Sequence, residues 1–250
     1  MENLELLIDL HQHNDRQGPG GRPETERAIT LAALDKSQHL KIADLGCGTG
    51  ASTLCLANKL DADITAVDFI PEFIEILRRN AEANNLSQHI HPKVGSIDDL
   101  TFADNELDVI WSEGAIYNIG FEKGIHYWRK FLKPKGVLAV SEITWLTDHR
   151  PDEIQSYWDT QYPEIDTASA KMKLLEKAGY APLGYFMLPE HCWLDNYYHP
   201  LQSRFDEFLS CHADSDDAQA LVEAEKQEIK VFETFKAYFS YGFYIARKLA

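Results

Sequence analysis

Seven consecutive residues constrain this chain most: Asp44-Leu45-Gly46-Cys47-Gly48-Thr49-Gly50. They follow a strand-like run at 41–45 and precede a helical pattern at 51–60. Glycines at alternate positions let the backbone turn sharply and approach a ligand with no Cβ in the way. A helix starting just beyond them points unpaired N–H groups at the same place. Asp68 ends the next strand-like run, 64–67, and lies 20 residues past Gly48. An acid in that position accepts hydrogen bonds from ribose hydroxyls. The set reads as a nucleoside site at the mouth of a doubly wound sheet. The plainer alternative is a turn that serves only packing, with Asp68 a solvated strand end.

The rest of the chain repeats the strand–helix alternation. A helix is expected at 71–84, with Phe73, Ile74 and Leu77 on one face. Strands are expected at 89–94, 107–111 and 137–140, and a helix at 121–132 closed by Lys133-Pro134-Lys135-Gly136. Short Val/Ile/Leu runs alternating with such helices indicate βαβ units and a parallel sheet covered on both faces. Ahead of this lie an amphipathic helix at 2–12, a break at Gln17-Gly18-Pro19-Gly20-Gly21, and a helix at 24–34 with Pro23 near its start. Past residue 145, helices are expected at 151–160, 166–178 and 216–236, and strands at 180–188 and 238–248. Residues 190–200, EHCWLDNYYHP, read as irregular.

Charge narrows the partners. There are 24 Lys+Arg against 40 Asp+Glu, a formal charge of −16. A field of that sign repels phosphate backbones and anionic lipid. No run approaches the ~18 apolar residues of a membrane span, and the acidic first ten residues have the wrong charge for a secretory signal. Cysteines at 47, 55, 192 and 211 show neither a CxxC nor a zinc-ligand spacing, so neither a metal nor a disulfide framework is expected. The cytoplasm is the expected compartment.

A dinucleotide fingerprint, G-x-G-x-x-G/A, is satisfied with Ala51 in third place. Gly50 and the acid two residues before the first glycine point elsewhere. Asp44-x-Gly46-x-Gly48-x-Gly50 resembles motif I of the class I S-adenosylmethionine-dependent methyltransferases. Asp68-Phe69 looks like that family's ribose-holding acid and its neighbour. Gly95-Ser96-Ile97-Asp98-Asp99-Leu100 looks like its adenine segment, with Ser96 replacing the usual Asp. Residues 107–114 look like its fourth strand and exit loop, and 132–140 like the turn into its fifth. The resemblance covers about 40–142, and its nearest likeness is to the small-molecule, ubiquinone/menaquinone-biosynthesis-like branch.

The resemblance implies an α/β, Rossmann-like, doubly wound sheet of seven mostly parallel strands. Its C-terminal strand is antiparallel, and helices lie on both faces. The chain then divides into an N-terminal helical lid (1–37), a core (38–188), a substrate-side insertion and helix (189–236) and a final strand (237–250), all one domain. It implies methyl transfer to a small-molecule acceptor, with S-adenosyl-L-methionine held by Asp44, Gly46, Cys47, Gly48, Gly50, Asp68, Phe69, Ser96, Ile97 and Glu113. The donor's sulfonium supplies the reactivity, so the protein's task is alignment. Glu113, Tyr117 and Glu142 are the catalytic candidates; each has a structural alternative, as loop acid, core ring or buried carboxylate. Trp145, Tyr198 and His199 are the substrate candidates, within a cluster that also holds His191, Trp193 and Tyr197 and is equally explicable as packing. Two further readings stay open: a non-catalytic S-adenosylmethionine-binding module and an NAD(P)-dependent oxidoreductase. The N-terminal segment, with His11, His13 and Arg16, is expected to fold over the cofactor, so that deleting 1–22 abolishes cofactor binding while leaving the domain folded.

Overall fold

The structure is a computed structural model that describes residues 2–35 and 37–249, and the side chains of all of these except Glu2 and Asn3. Its centre is a sheet ordered β3-β2-β1-β4-β5-β8-β7. The strands are β1 (Leu40–Leu45), β2 (Ala62–Asp68), β3 (Ile90–Val94), β4 (Leu107–Glu113), β5 (Leu132–Trp145), β7 (Tyr180–Met187) and β8 (Phe239–Lys248); a two-residue strand, β6 (Asp166–Thr167), pairs beside the end of β5. Pairs from β3 to β5 are parallel, and β8 runs antiparallel to both β5 and β7. The expected sheet is therefore present, with β6 as a small addition.

Period-2 alternation divides the core. Ile42, Ile64, Val109 and Ala139 face one side, where α2 (Arg22–Ala32) and α3 (Ala51–Lys59) cover them. Ala43, Leu45, Ile110, Leu138 and Val140 face the other, against α5 (Phe121–Trp128) and α7 (Ala168–Lys177). A helix following β2, α4 (Pro71–Ala83), packs through Ile74, Leu77 and Ala81. After β1 the chain steps outward to β2 and β3, then returns to place β4 on β1's other side. The strand order reverses there, and a crevice opens beyond the carboxyl ends of β1 and β4.

Three local expectations change. The helix at 121–132 stops at Trp128: a 3-10 turn, Arg129–Phe131, follows, and β5 already begins at Leu132. Residues 190–200 are helical rather than irregular. They form α8 (Glu190–Trp193), a π turn (Leu194–Tyr198) and α9 (His199–Gln202), which burying Cys192, Trp193, Tyr197 and Tyr198 against α11 (Asp216–Phe235) stabilises despite weak local propensity. An unexpected helix, α10 (Phe205–Cys211), precedes α11.

The N-terminal helix α1 (Glu2–His11) packs on α10 and α11. Leu6 and Leu10 belong to the main core, and Leu10 is fully buried. Removing 1–22 therefore strips core as well as cover. Truncation of one such leucine costs about 2–5 kcal/mol, so the expected clean deletion is corrected.

Candidate active site

The turn after β1 is built by the residues that announced it. Gly46 and Cys47 donate their N–H groups to Val67 O at 2.8 and 3.1 Å, locking the turn to the end of β2. Gly46 has φ +73°, and a Cβ there would sit 2.2 Å from the Ala115 Cβ. Only glycine meets both conditions.

A cleft of about 650 Å³ opens over this turn, within the usual range for small-ligand sites. At one end it is lined by Gly46, Cys47, Gly48, Asp68, Phe69, Ser96, Ile97 and Asp98. Asp68 Oδ2 accepts from the Gly48 N–H at 2.8 Å and Oδ1 from the Ile70 N–H at 3.0 Å, which fixes the carboxylate toward the cleft. Burial pushes its pKa up, opposed by these N–H bonds. The Ser96 hydroxyl is hydrogen-bonded to the Asp98 carboxylate. The charge missing at Ser96 is thus supplied two residues later, by an acid the sequence reading passed over.

Two expected cofactor contacts move out of the cleft. Asp44 is fully buried and does not line it. Its Oδ2 accepts from Ser52 Oγ at 2.8 Å and Thr53 Oγ1 at 2.6 Å, while Oδ1 has no partner. Burial raises the carboxyl to about 7. Asp44 ties the first turn of α3 to β1 and so positions the glycine turn. Gly50, at φ +98°, is packed against α4: a Cβ there would lie 2.2 Å from Leu77 Cδ1.

The other end of the cleft is lined by Gly114, Ala115, Tyr117 and Asn118 after β4, Tyr197 from the π turn, Glu225 and Glu228 from α11, and Leu4, Leu7 and His11 from α1. Tyr117 thus lies where the sequence put it. Glu113 lines the cleft too, but its oxygens are engaged. Oε2 accepts from Arg16 Nη1 at 2.8 Å; Oε1 accepts from Thr25 Oγ1 at 2.7 Å and Trp111 Nε1 at 2.9 Å. Three donors occupy its oxygens, and two of them, Arg16 and Thr25, tie the N-terminal segment to the end of β4. Gln17 Oε1 accepts from the Thr49 N–H at 3.0 Å, and Asn196 Nδ2 donates to Gly20 O at 2.7 Å. The segment around Arg16–Gly20 therefore crosses the glycine turn.

The remaining candidates lie elsewhere. Glu142 is fully buried and outside the cleft, 3.2 Å from Lys171 Nζ, which also donates to Glu164 O at 2.7 Å. Burial raises its pKa, and Lys171 opposes this. Trp145 is buried at the end of β5, its ring 4.0 Å beneath the Arg150 guanidinium. Tyr198 is buried and donates to Glu228 Oε1 at 2.9 Å. His199 is exposed and pairs with Asp195 at 3.3 Å. None of these three lines the cleft; of the aromatic–His cluster, Tyr197 does. His191 lies 3.4 Å from Glu24, and with Cys192 they are the one group of three metal-type donors among the described residues.

The sequence reading missed most of the second end. Leu4, Leu7 and His11 recur at i, i+3 and i+7, the one-face spacing of a helix, and Glu225 and Glu228 at i, i+3. That signal was present but named no destination.

Residues 42–136 match the family described as "Methyltransferase domain". Over those residues the chain carries a methyltransferase domain of the class I, S-adenosylmethionine-dependent kind. It is 26% identical over 151 residues to O-methyltransferase cnsE of Penicillium expansum, covering 59% of this chain and 54% of that one. It is 23% identical over 162 residues to a phosphoethanolamine N-methyltransferase of Triticum aestivum, covering 64% and 31%. The chain thus spans about half and a third of these curated relatives. In fold, a methyltransferase of Geobacter sulfurreducens solved with S-adenosyl-L-homocysteine superposes with TM-score 0.84 at 14% identity, covering 97% of each chain. The quinone-biosynthesis branch is not singled out by these relatives. Among the described residues, no helix is long and apolar enough to cross a membrane.

Proposed function

We propose that this methyltransferase moves a methyl group from S-adenosyl-L-methionine to a small-molecule acceptor bound in the same cleft. The observation that carries the reading is the cleft's two-ended lining: a nucleoside cradle of Gly46, Gly48, Asp68 and Asp98 opens directly onto a second, aromatic and acidic end. Its fit to the cofactor rests on Asp68, fixed by two backbone N–H groups, and on the glycine turn.

When bound, S-adenosyl-L-methionine supplies an electrophilic methyl group on sulfur; the acceptor's lone pair takes it as the carbon–sulfur bond breaks and its electrons return to sulfur. The chain's own residues align the partners. Asp68, Phe69 and Asp98 hold the nucleoside end. Gly114 and Ala115 line the cleft beside Tyr117, and Tyr117 and Tyr197 frame the acceptor. Residues 11–21, tied through Arg16, Gln17 and Gly20, exclude water above the turn, which favours in-line approach. The N-terminal lid, core, insertion and final strand act as one domain.

Relatives bearing O- and N-methyltransferase names support a small acceptor. Calorimetric titration with S-adenosylhomocysteine tests the cofactor half. Asp68→Ala is expected to weaken binding by about 1–3 kcal/mol, the loss of hydrogen bonds to a charged group. An unchanged dissociation constant removes Asp68 from the site. Consumption of labelled methyl donor across an acceptor panel tests transfer, and binding without consumption supports the module reading instead.

A further inference from the structure

The second end of the cleft has an uneven charge inventory. The cleft is lined by Asp68, Asp98, Glu113, Glu225 and Glu228, against Arg16 and His11. Arg16 is committed to Glu113 at 2.8 Å, and Asp68 and Asp98 belong to the nucleoside end. What remains at the acceptor end is Glu225 and Glu228, one helical turn apart on α11, facing a single imidazole. His11 Nε2 lies 3.2 Å from Glu225 Oε1, and its ring stacks on Tyr197 with centroids 6.2 Å apart. The His11 side chain is more than nine-tenths buried, and its Nδ1 has no hydrogen-bond partner.

Neither carboxylate is fully paired. Glu225 Oε2 is buried without a partner; Tyr198 donates to Glu228 Oε1 at 2.9 Å, and among the described residues no donor reaches Glu228 Oε2. Burial and the neighbouring Glu225 both push its pKa up. A carboxylate set into a cleft without a cation is costly unless something charged or hydrogen-bonding arrives. Beside it stand Tyr117 and Tyr197, whose ring faces attract cations. Carboxylates, phenol rings and the lack of any lysine or arginine besides the engaged Arg16 exclude an anionic acceptor head and suit an ammonium.

We propose that the acceptor end binds a small amine, its ammonium form held between the Glu228 carboxylate and the rings of Tyr117 and Tyr197, with Glu225–His11 closing the far side; before transfer the nitrogen passes one proton to the Glu228 carboxylate, which frees the lone pair that takes the methyl group. The assignment rests on the cleft being the methyl-transfer site proposed above, and it names the substrate class of that site. A neutral alcohol or phenol of equal size gains the apolar contact and forfeits the charge.

The test needs no turnover. Choline serves as a cationic probe and 3,3-dimethyl-1-butanol as its uncharged carbon isostere, each titrated by calorimetry with and without S-adenosylhomocysteine. Choline is expected to bind at least tenfold tighter than the isostere. Glu228→Gln is expected to remove most of that preference while leaving isostere binding and S-adenosylhomocysteine affinity within twofold. Equal binding of the two probes by the unaltered protein overturns the proposal and requires no variant to fold. So does a Glu228→Gln protein that keeps its choline preference. A loss of S-adenosylhomocysteine affinity matching the loss for choline also overturns it, because Glu228 would then serve the cofactor's charged end. Choline preference without any S-adenosylhomocysteine binding leaves the cation site standing and refutes the methyl-transfer reading.

Discussion

Replacing Glu113 by Gln separates a tether from a catalytic acid. Glu113 gathers Arg16, Thr25 and Trp111, three donors from three parts of the chain. Its side chain is 7% exposed and that of Arg16 12%, so water screens the pair little. Glutamine keeps the shape but has one acceptor oxygen, and its amide group must face a donor. Removing one partner of a buried pair costs about 3–5 kcal/mol; the oxygen that remains places Glu113→Gln near the lower end, about 3 kcal/mol. In a protein of this size that lowers Tm by roughly 6–12 °C. Because Arg16 and Gln17 line the cleft, loosening them also weakens S-adenosylhomocysteine binding. Thermal unfolding and calorimetry on Glu113→Gln, Arg16→Met and the double variant measure both effects. The two single losses are expected to be non-additive, with a coupling of about 1 kcal/mol or more. A Glu113→Gln protein with unchanged Tm and unchanged cofactor affinity that nonetheless loses methyl transfer would refute the tether and restore Glu113 as a group acting on the acceptor.

Other outcomes follow from the buried groups. The Asp44 carboxyl rises from 3.8 to about 7 on folding, so the folded state binds a proton that the unfolded state releases. Stability is lost as pH climbs from about 4 to 7 and is flat above; urea unfolding of the unaltered protein against Asp44→Asn should show a difference moving by up to about 4 kcal/mol across that window, in favour of Asn at high pH. Lys171→Met leaves Glu142 charged and unpaired and is expected to cost about 3–5 kcal/mol, while Lys171→Met with Glu142→Leu recovers most of it by denaturant titration. Glu142→Gln is expected to retain methyl transfer; its loss at unchanged stability would return Glu142 to catalysis. Gly50→Ala combines a left-handed backbone with a 2.2 Å approach to Leu77 and is expected to cost about 2–4 kcal/mol, read as Tm, with cofactor affinity of the folded fraction preserved.

The nucleoside end was legible because its parts are local. Gly46, Gly48 and Asp68 sit at strand ends, and strand pairing brings consecutive strand ends together whatever the distant packing does. The parallel order of β1 to β5 was legible for the same reason: apolar runs alternate with helices. The acceptor end was not. Leu4, His11, Tyr197, Glu225 and Glu228 come from three helices far apart in sequence, and no spacing rule joins them. Glu113 ends β4 as its position suggested, but Glu142 and Trp145 lie within β5 rather than after it, and the side chains that meet all three were not legible. Arg16, Lys171 and Arg150 approach from elements whose docking no local pattern records.

The sequence alone determined the glycine turn, the strand-end acid and the charge of −16, because backbone conformation, strand periodicity and net charge are properties of neighbouring residues or of sums. Only the tertiary structure decided which carboxylates are free to meet a ligand. Glu113 is held by Arg16, Glu142 by Lys171 and Asp44 by two hydroxyls, the last two away from the cleft, whereas Glu228 lines the cleft with Tyr198 as its one donor, and that accounting depends on which side chains the fold brings together.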